Sequence, residues 1–251
     1  MKWFLLSALI WVATIEVVAQ QTYAVVVGVS DYVGTRNDLH FADDDAWLVT
    51  RFLRSPKGGS IPPNHIITLT NGQATHANVL QALRIFEMAR PSDRILFHFS
   101  GHGLDGTFFT ADDQELLHQE LKAAFRRSAA KTKIVWADAC HSGSIRQSSS
   151  VRPINSQKNY SQFNDPSLNI IVMASSRSSQ NSMEQPFLGQ GAFTYFLVKG
   201  AQGDADQNHD GIVTIAEHYQ YVRDRVQQVT HNAQIPIITG KFSNTLPITI
   251  L

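Results

Sequence analysis

The chain contains one cysteine, Cys140, set in the segment Asp138-Ala139-Cys140-His141-Ser142-Gly143. A second short segment, Ser100-Gly101-His102-Gly103, places an imidazole between two glycines. A thiol attacks a carbonyl only as thiolate, and a neighbouring imidazole is the commonest device for generating one. Cys140 and His102 are therefore read as the nucleophile and the acid/base of a covalent hydrolysis. The backbone N–H groups of Gly103 and Cys140 are the candidates for binding the developing oxyanion. One cysteine excludes an intramolecular disulfide and a zinc site built on several thiolates.

A different chemistry is written in the twelve residues from Asp206 to Glu217, DQNHDGIVTIAE. Oxygen-bearing side chains at the first, third, fifth and ninth places, glycine at the sixth and glutamate at the twelfth match an EF-hand calcium loop. Ca2+ requires roughly six to eight converging oxygens, so the expected ligands are Asp206, Asn208, Asp210, Thr214, Glu217 and the carbonyl of Ile212. Ca2+ is the expected cofactor, structural or activating, and no organic cofactor is expected. The segment before the loop carries Gly200, Gly203 and Asp204 rather than a clear incoming helix. The competing reading is a turn and helix cap.

The elements that must position these groups alternate between strand and helix. Tyr23 to Val29 is a continuous apolar run with the length and composition of a buried strand, and His65 to Thr70, Arg94 to Ser100, Thr132 to Asp138 and Asn169 to Ser175 read as further strands. Between and after them, helical spacing marks Asp43 to Leu53, Ala74 to Ala89, Glu115 to Arg127, Phe193 to Val198 and Ala216 to Val229. At the end of the chain, Ile235 to Thr239 or Leu246 to Ile250 could add an edge strand. Repeated strand–helix units predict an α/β fold with a mostly parallel central sheet flanked by helices, in which chemistry sits at the carboxyl ends of strands. His102 and Cys140 follow the third and fourth strands, each expected to leave its strand through a glycine-containing turn.

Composition narrows the function further. Lys and Arg number 21 against 21 Asp and Glu, so nothing in the net charge favours nucleic acid or an anionic membrane. With 43% apolar residues the chain can bury a sizeable core. Met1-Lys2, an apolar stretch from Trp3 to Ile15 and the small residues up to Ala19 read as a secretory signal peptide. The stretch is shorter than the ~20 residues that span a bilayer, and Glu16 interrupts it. The expectation is a signal peptide over 1–19, a single exported domain over 20–251, periplasmic or secreted, and no membrane contact in the mature form. Residues 144–165, rich in Ser, Asn and Gln, have no periodicity and read as a long functional loop.

From Tyr23 to about Val229 the chain resembles the caspase-like cysteine peptidases (peptidase C14), and within them the metacaspases and their bacterial relatives. The resemblance rests on YAVVVGVSDY, FADDDAWLVTRFL, the S-G-H-G and D-A-C-H-S-G strand ends, the apolar strand ending A-S-S, and GAFTYFL. It implies a caspase-like three-layer fold and an endopeptidase in which Cys140 attacks the scissile carbonyl, His102 serves as acid and base, and His141 is a bystander. Asp138, two residues before the nucleophile, would pair with Arg or Lys in the side chain preceding the scissile bond, giving cleavage after basic residues. The resemblance adds Asp45, or less favourably Asp44, as a second pocket carboxylate, and Ser100. The competing reading of Asp43-Asp44-Asp45 is a charge cluster at a helix N-terminus.

Arg146, Arg152 and Lys158 lie in the long loop, so such an enzyme could cut itself there. The resemblance also implies calcium activation through acids elsewhere in the domain. One of those positions falls in Ser144 to Ser150, which holds no acid, leaving Asp105, Asp112 and Asp113 as partial candidates. Two alternatives stand beside the metacaspase-like reading: a catalytically silent caspase-like binding module, and a related legumain- or gingipain-like peptidase with another side-chain preference.

Overall fold

The structure, a computed structural model, describes residues 19–34, 38–104, 106–141, 160, 163, 165–175, 184–185 and 188–251. The expected signal peptide and most of the long loop lie outside the described residues. Five strands run parallel: β1 (Thr22–Gly28), β2 (Ile66–Thr70), β3 (Arg94–Leu104), β6 (Thr132–His141) and β7 (Ile170–Ala174). An antiparallel edge strand, β11 (Ile237–Thr239), completes the order β11-β7-β6-β3-β1-β2. Short strands β4 (Thr107–Phe109) and β5 (Glu115–Leu117) fold back from the end of β3. Two small antiparallel pairs stand apart: β8 (Glu184–Gln185) with β9 (Gln190–Gly191), and β10 (Ile212–Thr214) with β12 (Pro247–Ile250). Of the two proposed final strands, only the first joins the central sheet.

The two-residue period of the strands sorts their side chains between two helical layers. On one face Val25, Val27, Phe97, Phe99, Val135 and Val172 pack with Val79 and Phe86 of the α2 region and with Leu121 and Phe125 of α3. Here α2 is His76–Ala82, continued by a 3-10 turn over Leu83–Met88, and α3 is His118–Arg127. On the other face Ala24, Val26, Leu96, Ile134, Trp136 and Met173 meet α1 (Ala42–Arg54), α4 (Ala192–Lys199) and α5 (Ile215–Val229). The chain therefore has the three-layer architecture expected of it.

Two predicted helices are corrected. The segment 74–89 is α-helical only to Ala82, and 115–127 begins as strand β5 before α3. In both places the apolar spacing satisfies burial, but the backbone is set by neighbours: β5 pairs with β4 over Thr107↔Leu117 to Phe109↔Glu115. No helix among the described residues is long and apolar enough to cross a membrane.

Two histidines are wholly buried in the layer that holds α4 and α5. His98 on β3 and His218 on α5 are each pushed down to a pKa of about 4, chiefly by burial, against the opposing pull of Asp138 on the first and of the Leu197 carbonyl on the second. An unfolded histidine titrates near ~6.5, so the folded state disfavours the proton. Stability is thus full above about pH 6.5 and is lost as pH falls toward the folded values, on the order of 1–2 kcal/mol per histidine by about pH 5. Urea unfolding at pH 7.5 and pH 5 will show a lower midpoint at pH 5. In His218→Gln, whose amide can still donate to the Leu197 carbonyl, that difference will shrink.

Candidate active site

The sheet continues through both motifs instead of ending before them. β3 and β6 stay paired from Arg94↔Thr132 through Ser100↔Asp138 and His102↔Cys140 to Gly103↔His141. The expected glycine-containing turns at the strand ends are replaced by extended backbone. The cause is the returning β4, which pairs Gly103 with Phe108 and Leu104 with Thr107 and so supplies a partner for the extension of β3. The register sets the Cα atoms of His102 and Cys140 directly opposite each other on strands about 4.8 Å apart. The side chains of Cys140 and His141 lie outside the described part of the structure.

His102 is buried, with 7% of its surface exposed. Its backbone N–H donates to the Tyr32 hydroxyl at 2.8 Å, and the two rings face each other with centroids 4.8 Å apart. Tyr32 belongs to the loop after β1 and carried no chemical assignment in the sequence.

Beside this pair, three of the expected pocket residues come together. Asp45, Asp138 and Ser100 are each no more than 3% exposed. The Ser100 hydroxyl donates to Asp45 Oδ2 at 2.8 Å, and the Gly191 N–H donates to Asp45 Oδ1 at 2.9 Å. The Thr194 hydroxyl and N–H both donate to Asp138 Oδ2, at 3.0 and 3.2 Å. Gly191 is the N-cap position of α4 and Thr194 lies in its first turn. Both carboxylates therefore sit at a helix N-terminus, where orphan N–H groups and the dipole favour negative charge.

Among the three consecutive acids, packing assigns distinct roles. Asp43 bonds Ser30 and Asn71, Asp44 is exposed, and Asp45 faces the sheet. Gly191 and Thr194 belong to the GAFTYFL segment on which the resemblance rests, but nothing in the sequence assigns either of them to the carboxylates.

Within 206–217, residues 206–211 fold as a tight turn, Ile212–Thr214 form β10 and Ile215 opens α5. His209 and Gly211 take positive φ of 57° and 81°. Asp206 accepts the N–H groups of Asp210 and Gly211, Asn208 accepts Asp210 N–H, and Asp210 accepts Ile212 N–H. Thr214 and Glu217 form a reciprocal capping box at the start of α5. Among the described residues no group of three or more His, Cys, Asp or Glu is arranged to hold a metal ion. Asp112 accepts from Thr110 and from the His76 N–H, Asp113 lies in the same turn, and Asp105 lies outside the described residues.

The family model of the caspase domain matches residues 21–246. The chain therefore belongs to the caspase-domain family, peptidase C14, a family of cysteine peptidases. Metacaspase-1 of Candida albicans is 27% identical over 154 residues, covering 49% of this chain and 33% of the relative. Metacaspase-1 of Saccharomyces cerevisiae is 26% identical over 150 residues, with the same coverage of each chain. The match thus spans about a third of the length of these relatives. The fold is shared with the crystal structure of protein GSU0716 from Geobacter sulfurreducens, at a TM-score of 0.59 and 19% identity over 92% of this chain and all of that one.

A Cβ at Gly191 would lie 2.5 Å from Asp138 Oδ2 and 2.7 Å from Asp45 Oδ2, closer than van der Waals contact permits. Gly191→Ala must therefore push the two carboxylates or the start of α4 aside. Chemical denaturation will show a loss of about 1–3 kcal/mol, whereas a control at the exposed Gly72, Gly72→Ala, whose Cβ would meet nothing within 4 Å, will not crowd any neighbour.

Proposed function

We propose that the protein is an exported cysteine endopeptidase that cuts after Arg or Lys. The observation that carries this reading is the convergence of Asp45, Asp138 and Ser100 next to the strand positions where His102 and Cys140 stand opposite each other. Two buried carboxylates, held by N–H and hydroxyl donors, form a pocket that favours a guanidinium or ammonium and opposes an acidic side chain.

In this mechanism His102 takes the thiol proton of Cys140, and the sulfur attacks the scissile carbonyl carbon. The oxyanion is received by the N–H groups of Gly103 and Cys140. The protonated imidazole then donates to the departing amine as the C–N bond breaks, leaving a thioester. Water, deprotonated by His102, hydrolyses the thioester and restores the thiol. Basic residues Arg146, Arg152 and Lys158 make the stretch 144–165 a substrate for the same site in the same chain or a second copy. Export rests on the signal-peptide pattern of residues 1–19 and brings the thiol into surroundings where oxidants would silence it.

Fluorogenic peptides ending in Arg, Lys, Asn and Asp test the reading. Wild type will cleave after Arg and Lys, Cys140→Ala will cleave none, and Asp138→Asn will lose about 100-fold in kcat/KM. Preference for Asn or Asp would point instead to a related clan peptidase with another side-chain preference, of the legumain kind, and turnover of none of the peptides to a silent binding module. Intact mass of the same wild-type and Cys140→Ala proteins will show a cut within 144–165 in the first alone.

Calcium enters the proposal as a stabilising ion of the loop 206–217, with Asp206, Asn208, Asp210, Thr214, Glu217 and the Ile212 carbonyl as ligands. The left-handed backbone at His209 and Gly211 supports this turn as a calcium loop; the capping bonds of Glu217 to Thr214 support the competing reading as a helix cap. Added Ca2+ will raise the melting temperature of wild type by several degrees and leave Asp206→Ala unmoved. An identical melting temperature of wild type in Ca2+ and in chelator would remove the ion from the proposal.

A further inference from the structure

The loop after β1 is held far more firmly than a connection needs. Asn71, itself in the left-handed region at φ 47°, accepts the N–H groups of Ser30 and Asp31 through Oδ1 and donates to Asp43 Oδ2 through its amide. The hydroxyl of Ser30 reaches the other oxygen of Asp43, and Leu39 N–H closes onto the Ser30 carbonyl. On the far side of the loop Tyr32 N–H donates to Asp38, and Val33 N–H donates to the Ala111 carbonyl. Bonds from four separate segments thus fix both flanks of a single side chain, that of Tyr32.

That side chain is aimed at His102. Tyr32 is 5% exposed and lays its ring against the imidazole, with centroids 4.8 Å apart and planes inclined by 37°. Its hydroxyl oxygen accepts the buried backbone N–H of His102 at 2.8 Å. The neighbouring backbone has been cleared to admit the hydroxyl, since a Cβ at Gly101 would stand 2.7 Å from it. Burial, above all, raises the phenol pKa, so the group stays neutral and its oxygen remains a hydrogen-bond acceptor that carries its own proton.

We propose that Tyr32 is a positioning residue for the reaction: its hydroxyl fixes the backbone of His102 and its ring fixes one face of the imidazole. The inference rests on the reading that His102 is the acid/base, and Tyr32 acts through His102 without taking part in bond making or proton transfer. A hydrogen bond to the main chain of His102 governs where the imidazole stands in the transition state while leaving the specificity pocket unchanged. Its loss must therefore fall on kcat rather than KM, because small misplacements of a proton-transfer group are costly in rate.

The test uses Tyr32→Phe, which keeps the ring and removes the acceptor, assayed on an Arg-ending fluorogenic peptide beside wild type. The expected result is a fall of about 10- to 100-fold in kcat with KM within about twofold of wild type. Gly101→Ala crowds the same hydroxyl, and with it the Phe99 ring at 3.0 Å, from a backbone φ of 154° that favours glycine, and will also lower kcat. Because one of the contacts it disturbs is the one that Tyr32→Phe removes, the double variant will lose less than the product of the two single losses. Wild-type kcat in folded Tyr32→Phe overturns the proposal; if that variant does not fold, wild-type kcat in Gly101→Ala does. His102→Ala separates this outcome from failure of the underlying reading: activity retained there removes His102 as acid/base, whereas activity lost in His102→Ala and kept in Tyr32→Phe removes only the role of Tyr32.

Discussion

Two carboxylates buried beside one another are the constraint to which the rest of the structure answers. A buried ionised group costs heavily unless donors replace the water it has lost. Asp45 and Asp138 are supplied from three directions: by Ser100 on the adjacent strand, by the N–H of Gly191 at the start of α4, and by both donors of Thr194 within it. The start of a helix offers N–H groups that its own carbonyls cannot satisfy. Helix α4 and the acids thus meet each other's needs, and the absence of a side chain at position 191 lets them meet. Two short strands, β8 and β9, deliver that glycine to its place.

The reacting edge is positioned by backbone pairing. In a parallel sheet the relative height of two strands is set over their whole length, so the match of His102 with Cys140 is secured by the eight paired positions before it, beginning at Arg94↔Thr132. The fold-back of β4 onto Gly103 and Leu104 extends this order past the end of the core. From the opposite side comes the loop bearing Tyr32, anchored through Asn71 and Asp43 to the same helix that carries Asp45. Asp45 and the loop that packs on His102 thus share one support, so a shift of α1 would disturb both.

Zero net charge at the level of the whole chain coexists with strong local imbalance. Acids are drawn inward at the pocket, and the neutral histidines His98 and His218 lie buried in the same layer. Asp138 acts on His98 through charge, opposing the burial that keeps the ring unprotonated. On this side of the sheet the carboxylates gather near the carboxyl end, where chemistry is expected in such folds, while at the amino end Arg94 donates to the carbonyls of Pro247 and Ile248.

Much of the fold was legible because strands covered on both faces are mainly apolar: the runs that became β1 and β7 carry that composition almost throughout, and those that became β3 and β6 carry it with few polar residues, among them His98 and Lys133. The chemical residues were legible for a different reason. A sole cysteine, a histidine between glycines and an aspartate two places before the thiol are distinctive as residue types, whatever their conformation. Less was visible where conformation depends on a distant neighbour. The helix expected over 74–89 breaks after Ala82, and 115–117 is drawn into strand pairing. The sequence by itself determined the residue types at the candidate site and the alternation of strand and helix, since both follow from local chemistry and period. Only the tertiary structure showed that Asp45, rather than Asp43 or Asp44, is buried beside Asp138 and that the N–H of Gly191, 146 residues away, donates to it. Adjacent residues on a helix point in directions about 100° apart, and which of them meets a partner is set by how the helix packs, a property of the whole chain.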